Sequence, residues 1–199
     1  MARLSFWFDL ASTYSYLAAM RIGPLADARG VEVKWQPFLL GPIFKAQGWE
    51  TSPFEIYPAK GRYMWRDMAR QAVQFGLPEV KRPEPFPQNS VQAARVALIG
   101  LDQGWGEAFC RRAFAAQFAE GRAISDPATL SAILAELGAD PETVLAETQT
   151  EAVKDALRAA TVLAGRFGIF GAPSFVTRGG EVFWGNDRLE EALNWAAGE

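Results

Sequence analysis

The order of the predicted elements indicates an α/β fold, a thioredoxin-like fold with a large all-helical insertion. Three observations support it: a β-α-β unit opens the chain, helix signals fill the middle, and an α-β-β-α pattern closes it. Two strands joined by a helix imply a parallel pair. We expect residues 1–40 and 148–199 to form a discontinuous thioredoxin-like domain, and residues 41–147 to form the helical insertion domain.

The opening unit consists of two strands and one helix. Alternating side chains predict strands over residues 3–8 and 31–37. The helix between them covers residues 14–28, and Ser12 is its predicted N-cap because a serine hydroxyl can accept an unpaired N–H of the first turn. Gly23-Pro24 should kink this helix or split it in two, since proline lacks the N–H that a helix interior needs.

The middle of the chain carries helix signals after a start that is rich in glycine and proline. Residues 38–60 are predicted to be loops for that reason. Two helices should begin at the Asp-Pro pairs at 126 and 140, which supply an N-cap and a proline at the first helical position. Other helices are predicted over 63–75, 89–103, 107–119 and 151–167, with an extended proline-rich connector at 79–88.

The last part of the chain returns to strands. Strands over 174–177 and 181–184 flank Gly179-Gly180, which predicts a hairpin, and a helix over 189–196 closes the chain. Pro173 directly precedes the first of these strands, where a thioredoxin-like fold has a cis-proline. An ordinary proline at the start of a strand is the alternative.

Composition excludes several kinds of chemistry. The 199 residues carry a net charge of −3, no histidine and one cysteine. A Ser-His-Asp triad, a Cys-His pair, a zinc finger and an intramolecular disulfide are excluded, and no metal site is expected. Nucleic-acid binding is not indicated either. Without a secretory signal or an apolar segment of about 18 residues, we expect a cytoplasmic enzyme that borrows its reactive group.

The turn after the first strand is the reactive position of a thioredoxin-like fold. Redox members have Cys-x-x-Cys there, and this chain has Ser-Thr-Tyr-Ser at 12–15, so disulfide exchange from that position is excluded. Cys110 shares a predicted helix face with two phenylalanines, which indicates a buried core thiol. A helix N-terminus with a hydroxyl also suits an anion. The alternative is that Ser12 acts as a helix cap alone.

Two later segments could hold an extended ligand. The Ala172 N–H and C=O, next to Pro173, could pair with a peptide as a short strand does. Asp187 could accept from an ammonium group, while Asn186 and the following helix N-terminus hold a carboxylate. The alternative for Asp187 is a simple N-cap of the closing helix.

Six segments resemble, in the same order, the 2-hydroxychromene-2-carboxylate isomerases, relatives of kappa-class glutathione transferases and of DsbA-like proteins. They run the whole length of the chain: 6–18 (FWFDLASTYSYLA), 37–44 (PFLLGPIF), 58–64 (PAKGRYM), 86–90 (FPQNS), 168–175 (GIFGAPSF) and 183–188 (FWGNDR). The resemblance implies a glutathione-binding enzyme and a homodimer. It does not by itself separate isomerase from transferase.

The resemblance also implies roles for individual residues. By it, Ser12 holds the glutathione sulfur, the Ala172-Pro173 backbone pairs with the tripeptide, and Asn186 and Asp187 take the γ-glutamyl end. Thr13 stands where the family usually has proline. This departure could loosen the helix start or add a second hydroxyl.

Further residues are candidates for binding the substrate. Lys60 falls where the family has a lysine near the glutathione or substrate carboxylate, and Lys60, Arg62 or Tyr63 could bind that carboxylate or an enolate-like charge. The alternative for Arg62 and Tyr63 is a purely structural role, as packing at the start of a helix and as a surface charge. Asn89 could donate to the substrate or cap a helix. At most two aromatic residues of the following set should line the pocket: Trp7, Phe38, Trp49, Trp65 and Trp184.

The implied reaction is the glutathione-dependent cis-trans interconversion of 2-hydroxychromene-2-carboxylate and trans-o-hydroxybenzylidenepyruvate in aromatic hydrocarbon degradation, by reversible thiolate addition. A kappa-type glutathione transferase or peroxidase that acts on small electrophiles is the alternative. A non-catalytic DsbA relative is a third, and the missing cysteine pair argues against a dithiol oxidoreductase.

Overall fold

A four-stranded mixed sheet forms the centre of this computed structural model, which describes residues 2–199. β1 (Ala2–Phe8) pairs in parallel with β2 (Val31–Pro37) and antiparallel with β3 (Ser174–Thr177). β4 (Val182–Trp184) pairs antiparallel with β3. The strand order is therefore β2-β1-β3-β4. Together with the helices below, this confirms the predicted α/β fold.

Residues 2–199 contain ten α-helices, and most of them lie between β2 and β3. They are α1 (Thr13–Asp27), α2 (Leu40–Ala46), α3 (Pro53–Ile56), α4 (Pro58–Gln74), α5 (Val91–Gln103), α6 (Gly106–Phe118), α7 (Pro127–Glu136), α8 (Pro141–Glu147), α9 (Glu151–Arg166) and α10 (Leu189–Gly198). The Asp126 and Asp140 side chains cap α7 and α8, as their Asp-Pro pairs predict.

Two expectations about proline were wrong: that Pro24 splits the first helix, and that residues 38–60 are loops. α1 continues as one helix through Pro24 to Asp27, because the missing N–H falls in the last turn and the Ala28 N–H still donates to the Pro24 carbonyl (3.1 Å). Residues 38–60, predicted as loops, contain α2, α3 and the start of α4. Pro53 and Pro58 occupy the first turns of their helices, where proline favours a helix start instead of breaking the helix.

β1 is buried on both of its faces. Leu4, Phe6 and Phe8 belong to the larger hydrophobic cluster, which continues through α1, α10 and the helices of the insertion. Trp7 points the other way, into a smaller cluster under α9 that includes Phe38. Burying each such side chain stabilises the fold by about 1.5–3 kcal/mol. The larger cluster is continuous between sheet and insertion, and the domain boundaries at 40 and 147 stay a prediction.

In the part of the chain that the structure describes, no helix combines the length and the apolar character needed to cross a membrane. Among the same residues, no group of three or more acidic or cysteine side chains is arranged to hold a metal ion.

Candidate active site

A cavity of about 730 Å³ opens where β1 ends and α1 begins. Its walls come from six parts of the chain: the end of β1 with the start of α1, residues 39–54 with α2 and α3, Lys60 on α4, residues 86–91 at the start of α5, residues 170–172 before β3, and Trp184 on β4. Most of the lining is apolar, with a few polar groups among it. Ligand sites of small-molecule enzymes have this size and character.

Ser12 lies between the N-terminus of α1 and the start of β3. Its Oγ accepts from the Ser15 N–H (3.2 Å) and donates to the Ala172 carbonyl (3.2 Å). The Ala172-Pro173 peptide bond is cis, as predicted. The N-cap prediction for Ser12 is also confirmed. The structure thus brings together two residues that lie 160 positions apart in the chain, and both line the cavity.

The first turn of α1 leaves backbone donors available beside Ser12. Among residues 2–199, no acceptor pairs with the N–H of Thr13 or of Tyr14, and both residues line the cavity. Such first-turn groups carry the positive end of the helix dipole. The Thr13 hydroxyl donates to the sulfur of Met64 (3.1 Å), so it is not a second hydroxyl for a ligand in this structure.

The Tyr14 phenol is held in its protonated form. Burial raises the pKa of Tyr14, and the nearby Asp67 carboxylate, which accepts from the phenol (3.0 Å), raises this pKa further. Tyr14 is therefore a hydrogen-bond donor that is already paired with α4, and not a general base at neutral pH.

Asp9 is a polar residue of the site that the sequence analysis missed. It follows β1 directly, is 4% exposed, and lines the base of the cavity. Burial raises the pKa of its carboxyl, against three hydrogen bonds that favour the charged form, from Leu40, Ser90 and Ala11. Its position at the end of a buried strand was the signal that could have identified it.

The predicted substrate-binding residues divide into two groups. Lys60 and Asn89 line the cavity. Asn89 Oδ1 accepts from the Val91 N–H (3.0 Å) at the start of α5, whose N-cap residue is Ser90. Arg62 and Tyr63 are exposed on α4 and do not belong to the cavity wall. The Tyr63 ring lies instead 5.5 Å from the guanidinium of Arg70, and the structure does not bring either residue to the cavity.

Asn186 and Asp187 lie in a short 3-10 turn before α10, outside the cavity lining. The buried Asn186 amide donates to Gln71 Oε1 (2.7 Å) and its oxygen accepts from Arg21 (3.2 Å). Asp187 is exposed and does not cap α10, which begins at Leu189 with no side-chain cap. That alternative for Asp187 was therefore wrong. Pro173 also lies outside the lining, although its neighbour Ala172 belongs to it.

Two of the five candidate aromatic residues, Trp49 and Trp184, line the cavity. Trp7 and Phe38 pack edge to face in the smaller hydrophobic cluster, and Trp65 packs on Phe86. Four phenylalanines that the sequence analysis did not single out complete the aromatic part of the lining: Phe44, Phe54, Phe86 and Phe170.

Cys110 does not line the cavity. It is completely buried in the larger hydrophobic cluster, and burial raises the pKa of its thiol well above the usual range. The predicted assignment of Cys110 to the core is confirmed.

A family model described as a DSBA-like thioredoxin domain matches residues 3–194. The chain belongs to this family. The match covers the sheet strands and the helices between β2 and β3 alike.

Named relatives are similar over nearly the whole chain. 2-Hydroxychromene-2-carboxylate isomerase from Sphingobium xenophagum is 29% identical and covers 94% of this chain and of that protein. The isomerase from Pseudomonas putida is 30% identical and covers 94% and 90%. Glutathione S-transferase kappa 1 from Rattus norvegicus is 25% identical over 94% and 87%. A solved structure of 2-hydroxychromene-2-carboxylate isomerase matches with a TM-score of 0.84 and 28% identity, covering 98% and 94%. These similarities confirm the predicted resemblance.

Proposed function

We propose that this DSBA-like protein is a glutathione-dependent isomerase that interconverts 2-hydroxychromene-2-carboxylate and trans-o-hydroxybenzylidenepyruvate. One observation carries the proposal: the Ser12 hydroxyl, at the N-terminus of α1, faces the Ala172 carbonyl at the base of a largely apolar cavity. The chain has no histidine, and its one cysteine is buried in the core. A thiol cofactor would supply the nucleophile that the chain itself lacks.

The donor set around Ser12 fits an anionic sulfur. The Ser12 hydroxyl would have to turn its one proton from the Ala172 carbonyl to a bound sulfur, and the unpaired N–H groups of Thr13 and Tyr14 are donors beside it. Their arrangement matches the helix N-termini that bind anions elsewhere. When bound there, glutathione would supply a thiolate able to add reversibly to an activated double bond, which permits rotation about that bond.

The chain's own contribution is to hold the sulfur ionised. A free thiol has a pKa of about 8.5, and each pKa unit corresponds to about 1.4 kcal/mol. A hydrogen bond from the Ser12 hydroxyl to a charged sulfur is worth about 1.5–3 kcal/mol. The end of α1 adds about 0.3–1 kcal/mol. Together they can lower the thiol pKa by about two units, so no general base is required.

The remaining candidate residues would bind glutathione and the substrate and orient them. The Ala172 backbone beside Pro173 would pair with the tripeptide as a short strand. The exposed Asp187 carboxylate would accept from the γ-glutamyl ammonium group, and the turn of Asn186 would present its backbone to the carboxylate. Lys60 would bind the substrate carboxylate, and Asn89 could donate a hydrogen bond beside it.

The apolar walls would receive the aromatic ring of the substrate and exclude water. Trp49 and Trp184 offer flat faces for such a ring. Arg62 and Tyr63 have no part in the proposed binding of the substrate, because they do not line the cavity that would receive it.

An ultraviolet time course tests the proposed function. The protein is mixed with 2-hydroxychromene-2-carboxylate, with and without glutathione. We expect rapid interconversion with the open isomer that depends on glutathione and does not consume it. No interconversion by a protein that still binds glutathione would contradict the isomerase assignment.

A second candidate is a kappa-type glutathione transferase acting on small electrophiles. The similarity to the rat kappa enzyme favours it, at lower identity than the two isomerases. Ser12 would serve the same purpose, and glutathione would leave as a conjugate. Consumption of glutathione with an electrophile, without isomerisation, would support this candidate instead.

A further inference from the structure

Asp9 has no role in the proposed reaction, although it lies at the base of the cavity. Its Oδ1 accepts from the Ala11 N–H (2.9 Å) and from the Ser90 hydroxyl (2.6 Å). Its Oδ2 accepts from the Leu40 N–H (2.8 Å). Its backbone carbonyl also accepts from the Ser12 N–H (2.9 Å). The buried Asp9 residue therefore accepts hydrogen bonds from four donor groups.

These four groups belong to three separate segments that line the cavity. Ala11 and Ser12 form the turn at the start of α1. Leu40 begins α2, which leads to the apolar wall at residues 42–54, and Ser90 directly precedes α5. No other residue among 2–199 is hydrogen-bonded through its side chain to all three segments.

We infer that Asp9 is a positioning residue, which fixes the wall that receives the second substrate relative to Ser12. The inference rests on the proposed function and deepens it. The Asp9 side chain suits this purpose because both of its oxygens accept hydrogen bonds, Oδ1 from Ala11 and Ser90 and Oδ2 from Leu40. Loss of the link to Leu40 should shift α2 and weaken substrate binding. It should leave the sulfur site at Ser12 intact.

Asp9→Asn is the first variant, because an amide of the same shape accepts on one side only. The amide oxygen should stay where Ala11 and Ser90 both donate. The amide nitrogen then faces the Leu40 N–H, and that buried donor loses its partner. An unpaired buried donor is costly, so the start of α2 should move.

Leu40→Pro tests the same link from the other side. Leu40 is the first residue of α2, where proline is tolerated, and Leu39 has φ −111° and ψ 125°, which suit a residue before proline. The substitution removes the N–H donor, and the Leu40→Ala variant controls for the lost side chain. Ser90→Ala removes the hydroxyl donor as an independent check.

The experiment measures isomerisation kinetics and the thiol pKa of bound glutathione for the full chain. At saturating glutathione, we expect Leu40→Pro to raise KM for 2-hydroxychromene-2-carboxylate about 5-fold over Leu40→Ala, the effect of one net hydrogen bond. We expect the kcat of Leu40→Pro to stay within about 2-fold of the kcat of Leu40→Ala. The pKa of the bound thiol should stay within about 0.3 units of its value in Leu40→Ala. In the Asp9→Asn background, the ratio of KM between the two Leu40 variants should fall to about one, because the link is already lost.

Three outcomes would overturn the inference while the proposed function stands. One is an equal KM for Leu40→Pro and Leu40→Ala. Another is an unchanged KM ratio in the Asp9→Asn background. The third is an effect of Asp9→Asn that appears in the thiol pKa instead of KM, since Asp9 would then act through its charge. A wild-type protein that binds no glutathione and turns over no substrate would overturn the proposed function, and the inference with it.

Discussion

Removing the Ser12 hydroxyl should raise the pKa of the glutathione thiol bound in the cavity. Ser12 Oγ is the one side-chain hydroxyl of the described residues that joins the N-terminus of α1 to the Ala172 carbonyl. Ser12→Ala deletes this donor and leaves the N–H groups of Thr13 and Tyr14 in place. The thiol should therefore lose part of its stabilisation, and not all of it.

The expected magnitude follows from the contacts. A hydrogen bond to a charged group is worth about 1.5–3 kcal/mol, which corresponds to about 1–2 pKa units. A thiol held at a pKa of about 6.5 is about three-quarters ionised at pH 7, and at a pKa of about 8 it is about one-tenth ionised. We expect kcat/KM at pH 7 to fall about 8-fold for that change. Ser12→Thr, which keeps a hydroxyl, should retain more activity than Ser12→Ala.

The assay is a pH titration of the thiolate absorbance of bound glutathione, paired with isomerisation kinetics. Ser15→Ala is the matched control, because it makes the same change in the same helical turn at a buried hydroxyl that has no partner among residues 2–199. Loss of the N-cap should also lower the free energy of unfolding of Ser12→Ala by about 0.5–2 kcal/mol. Equal thiol pKa and equal kcat/KM in the Ser12→Ala and Ser15→Ala variants would refute the assignment of Ser12.

Three further predictions concern other residues of the molecule. Thr13→Pro removes one first-turn N–H and should raise the bound thiol pKa by about 0.2–0.7 units, while Thr13→Val should leave it unchanged; the same titration measures both. Cys110→Ala should keep full activity and lose about 1–2 kcal/mol of stability in denaturant unfolding, because the thiol packs in the core and does not line the cavity; loss of turnover would contradict this. Burial raises the pKa of Asp9 above 3.8 in the folded protein, so unfolding releases a proton above that pH. The stability of the wild type relative to Asp9→Asn should therefore fall as pH rises from about 4 through the folded pKa of Asp9, as measured by unfolding at several pH values; a difference that rises with pH would show the opposite shift.

The fold and the centre of the site could be predicted because they depend on local patterns and on topology. A residue that follows β1 and a residue that precedes β3 must lie close together once these strands are neighbours, so the pairing of Ser12 with Ala172 follows from the element order. Helix starts with their own caps, such as Asp126, were predictable for the same local reason.

The other features of the candidate site could not be predicted, because they depend on contacts between segments that are distant in the sequence. The side chain of Asn186 turns toward Arg21 and Gln71, because α1 and α4 meet beside the turn that carries it. The sequence around Asn186 does not indicate which partners its side chain contacts. In the same way, the role of Asp9 depends on Leu40 and Ser90, which the fold alone brings to one point.

The position of β1 has a consequence for synthesis of the protein on the ribosome. β1 gains its first partner, β2, within the opening 37 residues, and its second partner only at residues 174–177. At about 5–20 residues per second, the interval between the two is about 7 to 28 s. During that time one edge of an apolar strand has no partner, and such edges favour pairing with other chains. The same interval delays the site, since Ser12 meets Ala172 only when β3 arrives. Nascent chains therefore expose this unpaired strand edge before Ser12 can meet Ala172.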